Sequence, residues 1–374
     1  MSRQFADASA VLQAVAEFAA RHIAPRRREL ISAGVPPADL WEAFSASGLA
    51  GLSIPEEFGG HGAGYRSLSQ AIQVVNRFGG VPGVGMIFMV HWLGAKLHIA
   101  GDTSTALKER LLPRLARGEA TLSVAISEPG AGAHPKHLKT TARREGDEYV
   151  INGEKAFLTN GPLAGYFVVL AITSEREGRK EFSALLVPAD TPGLTKTDGV
   201  KIDFLHPCPH GGIRMENVRV PAANLIGAEG DAFQRTSLRM RAIEDAAGAG
   251  GRVGSMSCLL SDIAAAAPDE LDQEIGAVAT QLQALAVVAA HLAAMADAAK
   301  ENVDPLLELH LGFHQQAAAT ANTLAALLEK TPARAQPEVA LLCRDVVKSL
   351  SIAKNALAAR HVKTGRTIIA AAKS

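Results

Sequence analysis

The sequence predicts an α+β protein with an N-terminal helical domain, a central domain of β-barrel type and a C-terminal helical bundle. The apolar residues change from helix-like to strand-like spacing near residue 119 and return to helix-like spacing near residue 227. A chain of 374 residues with 48% hydrophobic content is also too long for one ordinary core. We therefore expect three domains, at residues 1–118, 119–226 and 227–374.

The first domain is predicted to be helical because its long periodic stretches are broken only by Gly and Pro clusters. Examples are ADLWEAFSASGLAGL and SLSQAIQVVNRFG. The opening segment carries Asp7 and Glu17 among its apolar residues, which is typical of an amphipathic helix. We expect neither a signal peptide nor an apolar run long enough to span a membrane.

The second domain contains short runs of β-forming residues, which predict at least five strands. These runs are LSVAIS, DEYVINGEKAFLTN, YFVVLAIT, FSALLVPA and GIRMENVRVP. The first run ends in SEPGAGAHP, where Ser127 offers a hydroxyl and Gly130 and Gly132 allow another molecule to approach closely. A ligand-binding edge and an ordinary strand-to-turn junction both explain this ending.

The third domain is rich in alanine at helical spacing, which predicts a bundle of three or four helices. The stretch QLQALAVVAAHLAAMADAA is apolar around most of its circumference, more than a monomer should expose. We therefore expect at least a dimer.

Composition argues against several classes of function. The formal net charge is +0, so no electrostatic footprint for nucleic acid is present. The three cysteines have no paired spacing, which favours a reducing cytoplasm and argues against a disulfide framework. His206, Cys208 and His210 alternate on a Pro-broken loop without a fourth ligand nearby, so we expect a reshaped loop and no metal site. GAGGRVG departs from the dinucleotide-binding pattern, so no Rossmann site is expected.

Six motifs occur in an order that resembles the acyl-CoA dehydrogenase family, from residue 1 to about residue 255. They are IPEEFGGHGAGY, MVHWLGAKLHIAG, LLPRLARGE, AISEPGAGA, GDEYVINGEKAFLTNG and MENVRVPAANLIGAEGDAF. The resemblance implies an FAD-dependent oxidoreductase that dehydrogenates the α,β bond of an acyl-CoA thioester. It also implies a homodimer or homotetramer that buries its bundle between subunits.

The resemblance assigns five residues to the flavin. Val124 and Ile126 would supply strand backbone and apolar contact, and Ser127 would replace a threonine whose hydroxyl bonds the flavin. Phe157 stands where the family usually has a tryptophan against the ring, and Thr159 matches a threonine near flavin N5.

The chain departs from the family pattern at two binding positions. Ala133 replaces a serine that would contact the pantetheine arm, and His134 replaces an acid, so the substrate is expected to differ. The segment CLLSDIAAAAPDELDQEI has no arginine where the family carries one that reaches the FAD phosphates. We therefore expect weaker FAD binding than in typical relatives.

The catalytic base is the largest departure. The sequence lacks the Tyr-Glu-Gly segment that carries the family's usual glutamate, and Met240 occupies an alternative slot before Arg241, a predicted substrate-site residue. Glu244 lies one helical turn further on and is the candidate base, with a solvated or Arg241-paired surface acid as the alternative. Asp245 is expected to point about 100° away from it.

Three functions therefore remain open from the sequence. The first is an acyl-CoA dehydrogenase that uses Glu244 or a base from a partner chain. The second is a catalytically degenerate subunit of a hetero-oligomer. The third is a relative of flavin-dependent monooxygenases.

Overall fold

The computed structural model describes residues 7–299, 302–352 and 354–373. Apolar helical spacing produces the N-terminal helices, and most of their buried residues belong to one core. Over residues 7–118 the α-helices are α1 (Ala8–Phe18), α2 (Arg27–Leu30), α3 (Ala38–Ala46), α4 (Tyr65–Gly79), α5 (Pro82–Leu93) and α6 (Thr105–Ala116). π-Helical turns extend α1 over Ala19–Ile23 and α5 over Gly94–Ala100.

The central domain is one eight-stranded sheet with buried side chains on both of its faces. Its strands are β1 (Leu122–Ala125), β2 (Thr141–Glu145), β3 (Glu148–Thr159), β4 (Tyr166–Arg176), β5 (Arg179–Pro188), β6 (Leu194–Thr197), β7 (His210–Pro221) and β8 (Leu225–Ile226). The strand order is β6-β7-β3-β2-β4-β5-β8, and β1 pairs with β4 in parallel off this path. One face of the sheet packs against α6 and its neighbours, and the other face forms a core of its own.

The C-terminal helices form the bundle. In the described residues after 226 they are α7 (Met240–Ala264), α8 (Asp272–Ala298), α9 (Asp304–Leu328), α10 (Pro337–Ser349) and α11 (Lys354–Lys373). A π-helical segment, Phe233–Arg239, leads into α7. The predicted α+β fold, with N-terminal helices, a central sheet domain and a C-terminal bundle, is confirmed.

Helix α7 ties the bundle to the N-terminal domain through a stripe of glycines that faces α4. A Cβ atom at Gly250 would lie 2.4 Å from the Ser69 carbonyl oxygen, and one at Gly254 would lie 2.2 Å from that of Gln73. No side chain fits there, so the two backbones meet directly. This contact fixes the position of the polar face of α7 relative to the other two domains.

The expectation that no apolar run reaches membrane length is wrong by the criteria of length and composition alone. Pro82–Ala100 and Asp269–Ala298 both satisfy those criteria. Most of the first segment is buried in the N-terminal core, as in the core helix of a soluble protein, whereas most of the second is not buried. In α8, Leu282, Leu285 and Leu292 are buried, and among the described residues Val287 is the one large hydrophobic side chain of this helix that is exposed.

Candidate functional site

A cavity of about 190 Å³ lies where all three domains meet. Helices α4 and α5 border it from the N-terminal domain, the ends of β3 and β7 from the sheet, and α7, α9, α10 and α11 from the bundle. Four of the predicted site residues line it together, namely Phe157, Thr159, Arg241 and Glu244. Residues assigned to flavin and residues assigned to substrate therefore share one space.

The wall on the sheet side is built by an irregularity in β3. The pairing of β3 with β7 is interrupted between Lys155 and Leu158, and Phe157 within this bulge has a φ of 62°. A positive φ is uncommon for a bulky residue. The Phe157 ring remains 36% exposed, with its centroid 5.2 Å from that of His210. The bulge thus displays an apolar ring at the cavity.

The Thr159 hydroxyl has a defined orientation because His210 fixes it. Nδ1 of His210 lies 3.2 Å from the Cys208 carbonyl oxygen, which can only accept, so this nitrogen carries the proton. Nε2 of His210 then accepts from the Thr159 hydroxyl at 3.2 Å. Burial lowers the pKa of His210, which favours this neutral form. Thr159 therefore has oxygen lone pairs left to accept from a ligand.

The end of β1 lies beside the end of β3, although it does not border the cavity. The Ala156 amide donates to the Ser127 carbonyl at 2.8 Å, and the Ser123 hydroxyl donates to the Thr159 carbonyl at 2.7 Å. Ser127 is half-buried, and its hydroxyl makes no hydrogen bond within the described part of the chain. The edge thus offers Ser127 beside the Phe157 wall.

The other predicted contact residues differ in how deeply they are buried. Val124 is half-buried, and Ile126 is buried in the core that joins the sheet to α6. Ala133 is exposed on the following loop, outside the cavity.

A buried ion pair fixes the loop that follows β1. Nζ of Lys155 lies 2.9 Å from Oε1 of Glu128 and donates to the Ile126 carbonyl at 3.0 Å. The backbone amides of Lys139 and Thr140 also donate to Glu128, at 2.7 and 2.9 Å. Burial lowers the pKa of Lys155 to about 8, and Glu128 opposes that shift. These contacts fasten both ends of the loop to β3.

On the bundle side, Glu244 is half-buried and lines the cavity. Burial raises the pKa of its carboxyl group above the usual value, although nearby Arg241 opposes that shift. Among the described residues, no hydrogen bond and no ion pair within 4.0 Å involves this carboxylate. A carboxyl group with a raised pKa and no fixed partner is suited to accept a proton.

Asp245, the next residue along α7, also lines the cavity. It is 7% exposed, and its Oδ2 atom lies 3.3 Å from Nε of Arg241. Arg241 therefore pairs with Asp245 and not with Glu244. The cavity extends around more than one side of α7, so two neighbouring residues of this helix can both line it.

Sequence reasoning assigned no role at the cavity to several of its polar residues. Among them are His210 on β7, Arg252 on α7 and His310 on α9. Arg252 follows Arg241 by about three helical turns, so helical spacing alone places it on the same face. The sequence contains no comparable signal for His210 or His310, because only the fold brings β7 and α9 to α7.

Comparison with known proteins gives the family. The model of the acyl-CoA dehydrogenase N-terminal domain matches residues 6–119, and the model of the middle domain matches residues 123–218. An acyl-CoA dehydrogenase of Bacillus subtilis (strain 168) is 30% identical over 301 residues, which are 79% of this chain and 77% of that protein. A cyclohex-1-ene-1-carbonyl-CoA dehydrogenase of Syntrophus aciditrophicus (strain SB) is 34% identical over 224 residues, 60% of this chain and 53% of that protein.

The likeness of fold extends further along the chain than the two family models. Butyryl-CoA dehydrogenase from Megasphaera elsdenii superposes with a TM-score of 0.83 at 21% identity, over 99% of this chain and 100% of that chain. The C-terminal helices therefore have counterparts in that fold. Domain models, a relative that aligns over most of both chains and the shared fold agree, and the chain belongs to the acyl-CoA dehydrogenase family.

Proposed function

We propose that this protein is an FAD-dependent oxidoreductase that dehydrogenates the α,β bond of an acyl-CoA thioester, with Glu244 as the base. The observation that carries the proposal is the shared cavity. Phe157 and Thr159, the predicted flavin contacts, line this cavity together with Glu244 on α7. An oxidation of this kind needs a hydride acceptor on one side of the substrate and a proton acceptor on the other.

The residues on the sheet side fit a flavin. The Ser127 hydroxyl has no partner among the described residues, and the Phe157 ring is exposed although it is apolar. A flat conjugated ring with polar edges would satisfy both groups. Thr159 adds an acceptor at the cavity, held in orientation by His210. When bound, the flavin supplies the acceptor for the hydride that leaves the β-carbon of the substrate.

The residues on the bundle side accept the proton that leaves the substrate. Glu244 accepts the proton from the α-carbon, and its raised pKa brings it closer to the neutral range in which a base works efficiently. Arg241 pairs with Asp245 and so keeps a positive charge near Glu244, whether Glu244 is protonated or ionised. Apolar cavity residues, including Met86 and Met89, exclude water from the substrate.

Anaerobic titration of the purified, FAD-loaded protein with a series of acyl-CoA thioesters tests this proposal. Loss of the visible flavin absorption with at least one thioester is the expected result. A protein that binds FAD and never bleaches would instead be the degenerate subunit of a hetero-oligomer. Oxygen consumption without thioester-dependent bleaching would indicate a relative of the flavin-dependent monooxygenases.

We also propose a homo-oligomer, a dimer or tetramer, that covers the apolar side of α8. The support is that most of Asp269–Ala298 is not buried within the described chain although it is as apolar as a membrane-length segment, and that Val287 is 71% exposed. Sedimentation at micromolar concentration should give a species larger than a monomer. A monomer there would contradict this assembly, and Val287→Glu should weaken it if α8 forms the interface.

A cytoplasmic location is proposed as well. Cys208, Cys258 and Cys343 have no paired spacing in the sequence, and the structure describes all three as free and buried thiols. Fractionation of cells that express a tagged chain should recover it in the cytoplasmic fraction. Recovery in a membrane or exported fraction would contradict the proposal.

A further inference from the structure

Arg252 has more hydrogen-bonding capacity than the surrounding protein uses. It lies on α7 at the cavity, and its side chain is 24% exposed. Within the described residues its one hydrogen bond runs from Nη1 to Nε2 of His310, at 3.1 Å. A guanidinium has five N–H donors in a fixed fork and stays charged in proteins. Most of that fork therefore has no acceptor among the described residues.

The positive charge around Arg252 exceeds the negative charge that faces it. Asp245 is the one carboxylate within 4.0 Å of Arg241, Arg252 and Arg360 in the described part of the chain, at 3.3, 4.0 and 3.8 Å. One carboxylate thus serves three guanidinium groups. The 4.0 Å separation from Arg252 is also too long for a hydrogen bond.

The other acids of the cavity do not remove this excess. Asp345 is fully buried, and its Oδ1 atom accepts from Arg344 at 2.8 Å, so it already has a counter-ion of its own. Glu244 makes no ion pair within 4.0 Å among the described residues. His310 accepts from Arg252, and burial lowers the pKa of His310 to about 4, so it faces Arg252 as a neutral ring.

We propose that the cavity binds an acyl group that carries a carboxylate, and that Arg252 recognises this carboxylate. The inference rests on the proposed action on acyl-CoA and narrows its substrate class. A half-buried guanidinium short of anionic partners is stabilised when an anion binds it, and carboxylates match its fork geometry.

The shape of α7 leaves room for such a substrate. Gly248 lines the cavity between Glu244 and Arg252, and a Cβ atom there would meet nothing closer than Met89 at 3.5 Å, so α7 puts no side chain into the cavity at that position. Glu244 and Arg252 are about 12 Å apart along the helix axis at 1.5 Å per residue. The Arg252 guanidinium leans back toward Asp245 and shortens that span. A short acyl chain would then reach from a thioester near Glu244 to the guanidinium.

Two matched thioethers test the inference without turnover, because they lack the carbonyl that acidifies the α-carbon. S-(4-carboxybutyl)-CoA and S-pentyl-CoA have acyl-like chains of five carbons and differ only in the end group. Calorimetric titration of the FAD-loaded protein should give at least tenfold tighter binding of the carboxylate-ended compound. Arg252→Met should abolish or reverse this preference, and Arg252→Lys, which keeps the charge without the fork, should retain part of it.

Arg219→Met is the matched control, since Arg219 lies on the surface of β7 with exposed acids, and it should leave both affinities unchanged. If Arg252→Met fails to fold, the wild-type preference and its reduction in Arg252→Lys decide the question. Equal binding of the two compounds by the wild type, or an equal loss for both in the Arg252 variants, overturns the carboxylate site alone. Failure of both compounds to bind counts against the proposed function, and this inference falls with it.

Discussion

The sheet domain and the bundle face each other across one cavity, but they have diverged from the family pattern to different extents. The sheet side keeps the motif residues in place, with Phe157 and Thr159 at the cavity and Ser127 beside them. The bundle side keeps the fold of butyryl-CoA dehydrogenase, yet its polar groups are an acid without a fixed partner and an excess of guanidinium. The sheet side therefore matches the family motifs more closely than the bundle side, which is the pattern expected if the proposed flavin contacts are kept and the substrate side differs.

The two sides are also held by different forces. The loop after β1 is fixed by a buried ion pair with three further hydrogen bonds, which leaves little freedom. The polar face of α7 is positioned instead by backbone contact with α4 at glycines, and its charged groups face a cavity. We therefore expect changes on the sheet side to alter stability and changes on α7 to alter chemistry.

Glu128→Gln should test the stabilising role of the sheet side. The change leaves the fully buried Lys155 ammonium without its counter-ion, and breaking a buried pair costs about 3–5 kcal/mol. Urea unfolding should show a loss of that size. The control is Glu119→Gln, which removes an exposed pair with Arg117 and should have a much smaller effect on stability. Equal losses of stability for the two variants would contradict a stabilising role for the buried pair.

The pH dependence of flavin reduction should test the chemical role of the α7 side. Glu244 acts as a base only when ionised, so the rate is full above its pKa and falls as the pH drops through it. Burial places that pKa above 4.5, so the fall should begin at a higher pH than for an ordinary glutamate and reach about tenfold per pH unit. Stopped-flow reduction by a bleaching thioester measures it. A rate that stays constant down to the ordinary glutamate pKa would contradict this assignment.

FAD affinity should reveal the cost of the missing phosphate contact. The segment CLLSDIAAAAPDELDQEI has no arginine, and a charge-assisted contact to phosphate contributes about 1.5–3 kcal/mol. We expect the apoprotein to bind FAD about tenfold or more weakly than a relative that carries the arginine. Calorimetric titration of both apoproteins compares them. Equal affinity would show that other residues replace the contact.

Alanine substitutions at two glycines should distinguish the outer surface of the bundle from its buried face. Gly312 lies inside α9, and no atom lies within 4 Å of the position that a Cβ atom would take there, so Gly312→Ala should stabilise the protein by about 0.5–1 kcal/mol. Gly254→Ala should destabilise it, because the new Cβ would meet the Gln73 carbonyl oxygen of α4. Urea unfolding of both variants measures the difference. A destabilised Gly312→Ala would mean that α9 is covered at that point.

The sequence predicted the fold well because each domain has its own periodicity. The switch from helical spacing falls between Ala116 and Leu122, and the return falls between Ile226 and Phe233. The approach of Phe157 and Thr159 to Glu244 was also predictable, but only through the motifs that resemble the family. Spacing alone says nothing about contact between a strand and a distant helix.

The rest of the site depends on packing that no local pattern encodes. His210 and His310 reach the cavity from β7 and α9, which the fold brings to α7. A pair of Glu244 with Arg241 was one alternative from the sequence, whereas in the structure Arg241 pairs with Asp245, four residues further along α7. The length and composition of Pro82–Ala100 likewise do not distinguish a buried core helix from a membrane segment.

The role of Glu244 as the base is tested most directly by anaerobic reduction of the flavin. The same thioester is used with the wild type, with Glu244→Gln and with Asp245→Asn. We expect Glu244→Gln to slow reduction by about 10² or more with FAD affinity unchanged. Asp245→Asn should slow it less, because Asp245 already pairs with Arg241 and acts by positioning. Reduction of Glu244→Gln at the wild-type rate would contradict the claim that α7 supplies the base.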